Sequence, residues 1–288
     1  MFLKFDEYVI GLREHNSHFL YEDKSLLSNF KITPRSFFWW YADPFLFESD
    51  GKHYIFVEKY NRITCKGHIA VSEITEKKLR FRSCGKFKYH MSFPFVDKNK
   101  TGLPIMIPET LNDNSVSLYV FDNFPYKITK KEILINNVKN VDSTLINDML
   151  LSYNLESRDK PYFTVYKLSN NSADIIFKKL DKSFELRGAG KAFVHNNKTI
   201  YPTQNCSKSY GYGIFFNYIS KKSNELSIER FNSIDAVDAS NYLNKKIYGI
   251  HTYNVDSKFE VIDLTIKKFS LLSFFGKVIN KLRKFGHK

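Results

Sequence analysis

The sequence predicts an all-β protein that ends in one amphipathic helix. Short runs of β-branched and aromatic residues recur along most of the chain, turn-forming residues separate them, and helical spacing of apolar residues is confined to the C-terminal tail. The chain has 288 residues, of which 43% are hydrophobic and 16% aromatic, enough for a substantial single core. Pattern alone favours a sandwich, a barrel or a propeller. About 260 residues would supply five propeller blades of roughly 50 residues each.

The first clear element is a β-hairpin within WWYADPFLFESDGKHYIFVEKYN, residues 39–61. Two extended runs, Leu46–Glu48 and Tyr54–Glu58, flank the turn signal Ser-Asp-Gly at 49–51. Pro44 cannot donate a ladder hydrogen bond, so it belongs at the start of a strand. This places Asp43 at the mouth of the strand, where a side chain faces a cleft. The alternative for an isolated Asp-Pro is an ordinary turn aspartate.

The remaining strands follow in order, separated by turns at 112–114, 169–171 and 195–197. They are predicted over Glu7–Leu12, His53–Val57, Gly67–Glu73, Ile105–Ile107, Val116–Phe121, Tyr162–Leu168, Ala192–His195, Thr199–Tyr201, Gly213–Ile219, Lys246–Ile250 and Phe259–Asp263. No long helical pattern interrupts them, so residues 1–263 are predicted to form one β domain.

Residues 264–288 are predicted to form an amphipathic basic helix. Apolar residues at helical spacing define one face, and lysines occupy the adjacent face. The apolar residues are Leu271, Phe275, Val278, Leu282 and Phe285, and the lysines are Lys277, Lys281, Lys284 and Lys288. Such a helix is typical of an anionic membrane surface. The alternative is a helix docked on the β domain with its lysines in solvent.

The distribution of charge argues against nucleic acid as a partner. The net charge is +14, but residues 264–288 contain seven basic residues and no acidic one, half of that total. The rest of the chain has no long basic run and no RNA-binding motif. The N-terminus does not read as a signal peptide, and no apolar run is long enough to span a membrane. Three widely spaced cysteines, Cys65, Cys84 and Cys206, indicate neither a disulfide framework nor a metal site. We therefore expect a cytoplasmic protein that is peripheral on the inner face of the plasma membrane.

Several short motifs place polar residues beside apolar strands, and their order along the chain is more specific than any one of them. They are ADPFL (42–46), KYHMSFPFV (88–96), IMIPET (105–110), DNFPYKI (122–128), NVDSTLI (140–146), ELRGAGKAF (185–193), YPTQNCSKSYGYGIFF (201–216) and YGIHTYNVDSKFEVID (248–263).

In these motifs, over residues 38–263, the chain resembles the five-bladed β-propeller domain of glucosamine inositolphosphorylceramide transferases and related bacterial proteins of surface-polysaccharide synthesis. The resemblance implies a five-bladed propeller. That domain is in turn similar to five-bladed glycoside hydrolases of the arabinanase and β-xylosidase type. In those hydrolases a first-blade aspartate is the general base and a third-blade aspartate tunes the acid. Asp43 and Asp142 match these two positions.

The hydrolase acid is a fourth-blade glutamate in a Glu-Gly-Pro setting. The nearest candidate here is Glu185, which Leu186 and Arg187 follow, so simple hydrolysis is not favoured. Transfer from an activated sugar fits better, because a phosphate leaves as a stable anion and needs no carboxylic acid. It requires a base for the acceptor hydroxyl and donors for the phosphate. Asp43 is the expected base, with Glu109 or Asp142 as the alternative.

Arg187 is the expected ligand of the leaving phosphate, because a guanidinium pairs bidentately with phosphate oxygens. The alternative is a structural ion pair with Glu109 or Asp142. The other expected substrate-binding residues are His90, Gln204, Tyr210, His251, Asn254, Trp40 and Glu58, and Trp39 and Tyr41 could also stack on a sugar or a base.

We therefore expect a nucleotide-sugar donor and a lipid-linked glycan acceptor. No Asp-x-Asp motif is present, so we expect no metal cofactor. Two other functions stay open: a glycoside hydrolase of the five-bladed class, and a noncatalytic carbohydrate-binding propeller.

Overall fold

The computed structural model describes residues 4–75, 78–155, 157, 160–169, 172–222 and 225–285. The chain forms five four-stranded antiparallel sheets, which are the blades of a β-propeller. The all-β class and the five-bladed architecture are thereby confirmed. Within the described residues, no helix is both long and apolar enough to span a bilayer.

The first two strands, β1 (Lys4–Glu14) and β2 (Lys31–Ile32), belong to the last blade of the ring. Blade 1 contains β3 (Trp39–Ser49), β4 (Lys52–Asn61), β5 (Lys66–Glu73) and β6 (Arg82–Ser83). Blade 2 contains β7 (Ser92–Lys98), β8 (Pro104–Glu109), β9 (Ser115–Asn123) and β10 (Lys127–Asn136).

Blade 3 contains β11 (Asn140–Ile146), β12 (Met149–Asn154), β13 (Tyr162–Leu168) and β14 (Ala173–Leu180). Blade 4 contains β15 (Phe193–His195), β16 (Lys198–Asn205), β17 (Gly213–Lys222) and β18 (Glu225–Asp235), and the helix α1 (Ala236–Leu243) follows it. Blade 5 has the order β19 (Tyr253–Val255), β20 (Phe259–Phe269), β1, β2.

The ring is closed by pairing between the two ends of the chain. Strand β1 pairs with β20 along its whole length, from Lys4 opposite Phe269 to Glu14 opposite Phe259. The first strand of each blade lies at the centre of the ring, and large apolar side chains fill the space between blades. Phe45 of blade 1, for example, packs edge-on against Phe93 and Phe95 of blade 2, and all three are buried.

Two segments outside the five blades differ from the sequence analysis. The strand predicted over Lys246–Ile250 is wrong: the segment is extended, but only Gly249 forms a bridge, to Thr265, so no ladder develops. Helix α1 was not anticipated, although Asp235 and Asp238 form a capping box at its start. Of the predicted turn at 169–171, Asn170 and Asn171 lie outside the described residues.

The C-terminal tail begins later than predicted. Strand β20 continues to Phe269, so the boundary expected after Asp263 falls inside a paired strand, and the helix α2 spans Leu271–Phe285. The side chains of Lys284 and Phe285, and all of Lys288, lie outside the part of the chain that is described.

Candidate active site

A backbone irregularity recurs near the start of three inner strands. Asp43, Phe93 and Asp142 have left-handed backbone angles, with φ of 48°, 43° and 48°. The pairing register shifts at each, between Ala42 and Phe45 in blade 1 and at the matching places in blades 2 and 3. A β-bulge of this kind redirects a side chain, and such strained positions concentrate at functional sites. Two of the three positions carry an aspartate.

The second strand of each blade adds one polar side chain at the same level. Glu58 pairs with Ala42 in blade 1, and Glu109 pairs with Ser92 in blade 2. The corresponding residues of blades 3, 4 and 5 are Tyr153, Gln204 and Asp263, whose strands meet the inner strands at Val141, Arg187 and Thr252. Together with Asp142 of blade 3, these residues place carboxyl groups around the funnel from blades 1, 2, 3 and 5. Asp263 was not a candidate in the sequence analysis; the blade register identifies it.

Asp43, His251 and Asp263 form a buried, hydrogen-bonded row across the junction of blades 1 and 5. The imidazole of His251 lies between the two carboxylates, with Nε2 3.2 Å from Asp43 Oδ1 and Nδ1 2.8 Å from Asp263 Oδ1. Asp263 also accepts hydrogen bonds from the backbone N–H groups of Asp43, His251 and Thr252. Asp43 itself accepts from Phe93 N and Thr252 Oγ1. Asp263 therefore holds both the histidine and the left-handed turn of Asp43.

The electrostatics of this row favour charged groups. Burial alone would raise the pKa of Asp43, but the hydrogen bond and charge of His251, with the N–H of Phe93, hold the pKa below its ordinary value. Burial likewise opposes the charge of His251, yet the Asp263 and Asp43 carboxylates raise the pKa of this imidazole well above its ordinary value. Both shifts favour the charged forms of Asp43 and His251.

Glu58 lies beside this row in a setting that favours the protonated acid. Burial raises its pKa well above the ordinary value, and the negative charges of Asp43 and Glu109 add to the effect. His90 Nδ1 accepts from the backbone N–H of Gly67, and His90 Nε2 lies 3.3 Å from Glu58 Oε1, but no described residue forms a hydrogen bond with that buried oxygen. Gly67 leaves the space that Glu58 occupies, because a Cβ there would lie 2.1 Å from Glu58 Oε1.

Glu109, Asp142 and Arg187 form a second group on blades 2 to 4. Arg187 Nε contacts Asp142 Oδ2 in a largely buried salt bridge, and Gln204 Nε2 lies 3.4 Å from the same oxygen. Burial raises the pKa of Glu109 well above its ordinary value, the Asp142 carboxylate raises it further, and Arg187 opposes both. The guanidinium lies 4.8 Å over the ring of Tyr210. No described residue accepts a hydrogen bond from the terminal Nη groups of Arg187.

Aromatic rings connect the charged row to the mouth of the funnel, the end at which the inner strands begin. Trp40 stacks on Tyr60 with ring centroids 4.2 Å apart and lies 5.1 Å from Tyr8. Tyr8 is 4.9 Å from His251, and Tyr210 approaches the same imidazole from the other side at 5.5 Å. Tyr210 is half exposed. Such rings offer faces on which a sugar or a base can stack.

Most of the predicted site residues thus meet at one funnel, but two have other positions. Asn254 is buried and joins three blades, because its Nδ2 donates to Pro44 O and its Oδ1 accepts from Lys191 N. This position favours a structural role over the predicted contact with sugar. Glu185 is exposed and pairs with Arg230 at 2.7 Å. The cation Arg187 therefore occupies the funnel wall where a fourth-blade acid was considered.

Asp43, His251 and Asp263 are also the only described cluster with the composition and spacing of a metal site. The hydrogen bonds do not fit that use. Both ring nitrogens of His251 face carboxylate oxygens, so both carry protons, and Asp263 Oδ1 is already the acceptor of three N–H groups. A metal ligand needs a free nitrogen lone pair. The row is better described as a charge-coupled pair of aspartates around an imidazolium.

The fold and the site together define a class: five-bladed β-propellers with several carboxylates and a cation around the central funnel. Within this class, the family model for "Glucosamine inositolphosphorylceramide transferase 1, N-terminal" matches residues 32–258, and the chain belongs to this family. The resemblance read from the sequence motifs is thereby confirmed.

Two curated relatives agree with this assignment, and one solved structure shares the fold. The chain is 26% identical over 208 residues to glucosamine inositolphosphorylceramide transferase 1 of Oryza sativa subsp. japonica, which covers 64% of the chain and 27% of the relative. It is 27% identical over 203 residues to the Arabidopsis thaliana protein of the same name, and this match covers 64% of the chain and 26% of that relative. The chain thus spans about a quarter of these relatives. The catalytic domain of Coprinopsis cinerea GH62 α-L-arabinofuranosidase shares the fold with a TM-score of 0.53 and 12% identity, covering 81% of this chain and 94% of that one.

Proposed function

We propose that this chain is a glycosyltransferase that moves a sugar from a nucleotide-phosphate donor to a lipid-linked glycan acceptor in bacterial surface-polysaccharide synthesis. The observation that carries the proposal is Arg187, a cation among the Asp142 and Glu109 carboxyls of the funnel, whereas the candidate fourth-blade acid Glu185 pairs with Arg230 away from it. Its Nη groups are available to a phosphate, and its Nε is held by Asp142. The names of the curated relatives describe a transferase and a ceramide lipid, which supports the same class of reaction.

Each funnel residue then has a role. Asp43 is the base for the acceptor hydroxyl, because it is an anion fixed by His251, with Glu109 or Asp142 as the alternative base. Arg187 stabilises the departing phosphate. Trp40, Glu58, His90 and Tyr210, together with Gln204 and His251, position the donor and the acceptor. Asp43 could take the proton of the acceptor hydroxyl, and Arg187 could stabilise the negative charge of the departing phosphate, so we propose a reaction without a metal cofactor. A clear rate loss with EDTA would count against this.

The acceptor side of the proposal depends on α2. The helix exposes Leu271, Phe275 and Leu282, with Lys277 and Lys281 also exposed. An apolar and basic helix of this type favours a peripheral position on an anionic membrane, which for a cytoplasmic protein is the inner leaflet. A lipid-linked acceptor would be located there.

The test is a calorimetric and turnover screen of the purified chain with UDP-, GDP- and CMP-sugars, the free nucleotides and neutral oligosaccharides. We expect binding of one nucleotide family. Arg187→Lys should weaken it about 10-fold or more, because an ammonium keeps the charge but loses the bidentate fork. Lys198→Arg, which changes an exposed cation in blade 4, is the matched control and should bind normally. Binding of oligosaccharides alone would contradict the proposal.

One observation favours hydrolysis as the second candidate. Glu109, whose pKa is raised, and Asp43, whose pKa is lowered, are the kind of carboxyl pair that glycoside hydrolysis uses. Release of reducing sugar from arabino- or xylo-oligosaccharides, abolished in Asp43→Asn, would establish this reaction. A noncatalytic sugar-binding propeller would lose no turnover in the same variant, because it would have none.

A further inference from the structure

Helix α2 is attached to the propeller through its smallest residues. The backbone of Gly276 lies so close to blade 1 that a Cβ would be 2.0 Å from Arg62 O and 2.9 Å from Ile63 O. Ser273, one turn earlier, is buried as well. The helix therefore docks on the turn that follows β4, beside the end of the strand that pairs with Trp39.

This docking leaves the large apolar side chains of α2 outside. The exposed ones are Leu271, Phe274, Phe275, Val278, Ile279 and Leu282, the last of them 65% exposed. A helix that stabilised the domain by burying its apolar face would show the opposite arrangement. The exposed cations Lys267, Lys268, Lys277 and Lys281 lie in the same segment, and residues 264–285 contain no acidic residue.

Arg62, whose carbonyl oxygen faces Gly276 of α2, also holds a second exposed apolar segment. Arg62 N donates to Phe38 O at 3.1 Å, and its guanidinium donates to Ser36 O at 2.8 Å and to Phe37 O at 3.0 Å. Arg62 is buried and paired with Glu7. The rings of Phe37 and Phe38 pack edge-on against each other, yet they are 71% and 48% exposed. A buried ion pair thus fixes two phenylalanines in solvent.

We infer that α2, Phe37, Phe38 and Ile63 form one surface, here called the lipid-facing surface, that inserts into the interface of an anionic phospholipid bilayer. The inference extends the membrane contact proposed for α2 and adds a second inserted segment and an orientation. The charge supports this occupant over a second copy of the chain, because the cations of the tail would repel their own copies but attract anionic headgroups. Paired rings beside lysines are also suited to the interfacial region.

The orientation follows from the chain itself. Phe37 and Phe38 directly precede Trp39 and Trp40 at the mouth of the funnel, and Trp40 is in contact with Tyr8, which contacts His251. A bilayer at the lipid-facing surface would therefore meet the funnel at its mouth. A lipid-linked sugar could then reach the carboxylates while its lipid stays in the membrane.

The chain contains two tryptophans, Trp39 and Trp40, so native fluorescence reports directly on this orientation. The experiment mixes the full chain with vesicles of brominated phosphatidylcholine containing about one-third phosphatidylglycerol. We expect sedimentation with the vesicles and quenching of the tryptophans. Vesicles without phosphatidylglycerol should bind far less, because the basic residues then have no anionic partner.

Two double variants separate the two segments. Phe37→Ser with Phe38→Ser should lower vesicle partitioning roughly 30-fold with α2 intact, since two aromatic side chains no longer insert. Phe275→Ser with Leu282→Ser should have a loss of similar size. Val194→Ser is the matched control, because Val194 is also 71% exposed. It lies in β15 next to the hairpin turn that follows this inner strand, on the face of the propeller opposite the mouth, so partitioning should not change.

Three results would overturn the inference. Sedimentation without quenching would mean that the mouth faces away from the bilayer. Unchanged partitioning of the Phe37 and Phe38 variant would remove this segment from the surface. A concentration-dependent dimer that both double variants abolish, without vesicle binding, would assign the surface to a second copy. These outcomes are distinct from failure of the proposed transfer reaction, which would leave partitioning and quenching as expected while no nucleotide sugar is bound or turned over.

Discussion

Asp263→Asn tests whether the buried row around His251 organises the site. The wild-type carboxylate accepts from three backbone N–H groups and from His251 Nδ1. Asparagine keeps one acceptor oxygen, but it removes the charge and turns an amide NH₂ toward a donor. Breaking a buried charge pair on one side costs about 3–5 kcal/mol, because the remaining charge is left without compensation.

That loss is measurable by urea unfolding and by thermal melting. In a chain of this size it corresponds to a decrease in Tm of roughly 10 °C. Asp256→Asn is the control, because Asp256 pairs with His53 Nδ1 at 2.7 Å in a similar aspartate–histidine contact away from the funnel. We expect a smaller decrease there, since this pair is less deeply buried.

The pH dependence of stability tests whether His251 is charged in the folded chain. The folded-state pKa of His251 is raised, so its contribution to stability is fully present below the unfolded-state pKa and is lost as the pH rises through the folded-state value. In Asp263→Asn this contribution should be lost at a lower pH. Nitrogen-15 NMR of the imidazole would follow it directly. A neutral His251 in the wild-type chain at pH 7, or a variant as stable as wild type, would refute the reasoning.

Two further predictions concern the protonated carboxyls. Gly67→Ala should destabilise the chain by about 1–3 kcal/mol, because its Cβ would overlap Glu58. Adding Glu58→Ala should recover part of that loss in a double-mutant cycle, and strict additivity would contradict the proposed clash. Glu109→Gln removes an acid whose folded-state pKa is raised; the wild-type chain should lose stability as the pH rises above the unfolded-state pKa, and the variant should lose less over the same range. Parallel stability curves for the two proteins would argue against a protonated Glu109.

The middle strands of the blades were largely predictable from the sequence, whereas the inner strands β7, β11 and β19 and several outer strands were not. Strands such as β9 and β17 have apolar runs that are buried, and their predicted positions are confirmed. The outer strands β10 and β14 each expose two lysines, a residue that edge strands often carry, among other polar residues, so their apolar pattern is weak. Lys246–Ile250 contains the strand-favouring residues Ile247, Tyr248 and Ile250 but lacks a strand partner along most of its length.

The site was predictable where a local motif marks it. The Ala-Asp-Pro segment located Asp43, and Asp142 lies at the equivalent bulge of blade 3. Asp263 was missed because its neighbours, Ile262 and Leu264, read as an ordinary buried strand. Its role becomes visible only when the strands are in register, at the level of Glu58 and Glu109. Glu185 was weighed from its position in the chain, but the direction of its side chain depends on Arg230, far away in sequence.

The closure of the ring by both ends of the chain has a consequence for folding. Asp43 is on the first blade, while His251 and Asp263 are on a blade that requires β1 and β20 to pair. Synthesis from the ribosome therefore delivers the last part of the site only after β20 has emerged, more than 200 residues after Asp43. Until that pairing forms, Asp43 lacks both of the partners, His251 and Asp263, that complete the buried row. Any truncation or proteolytic cut that disturbs β1 or β20 would dismantle this junction first, so the row around His251 should be lost before most of the β-structure is.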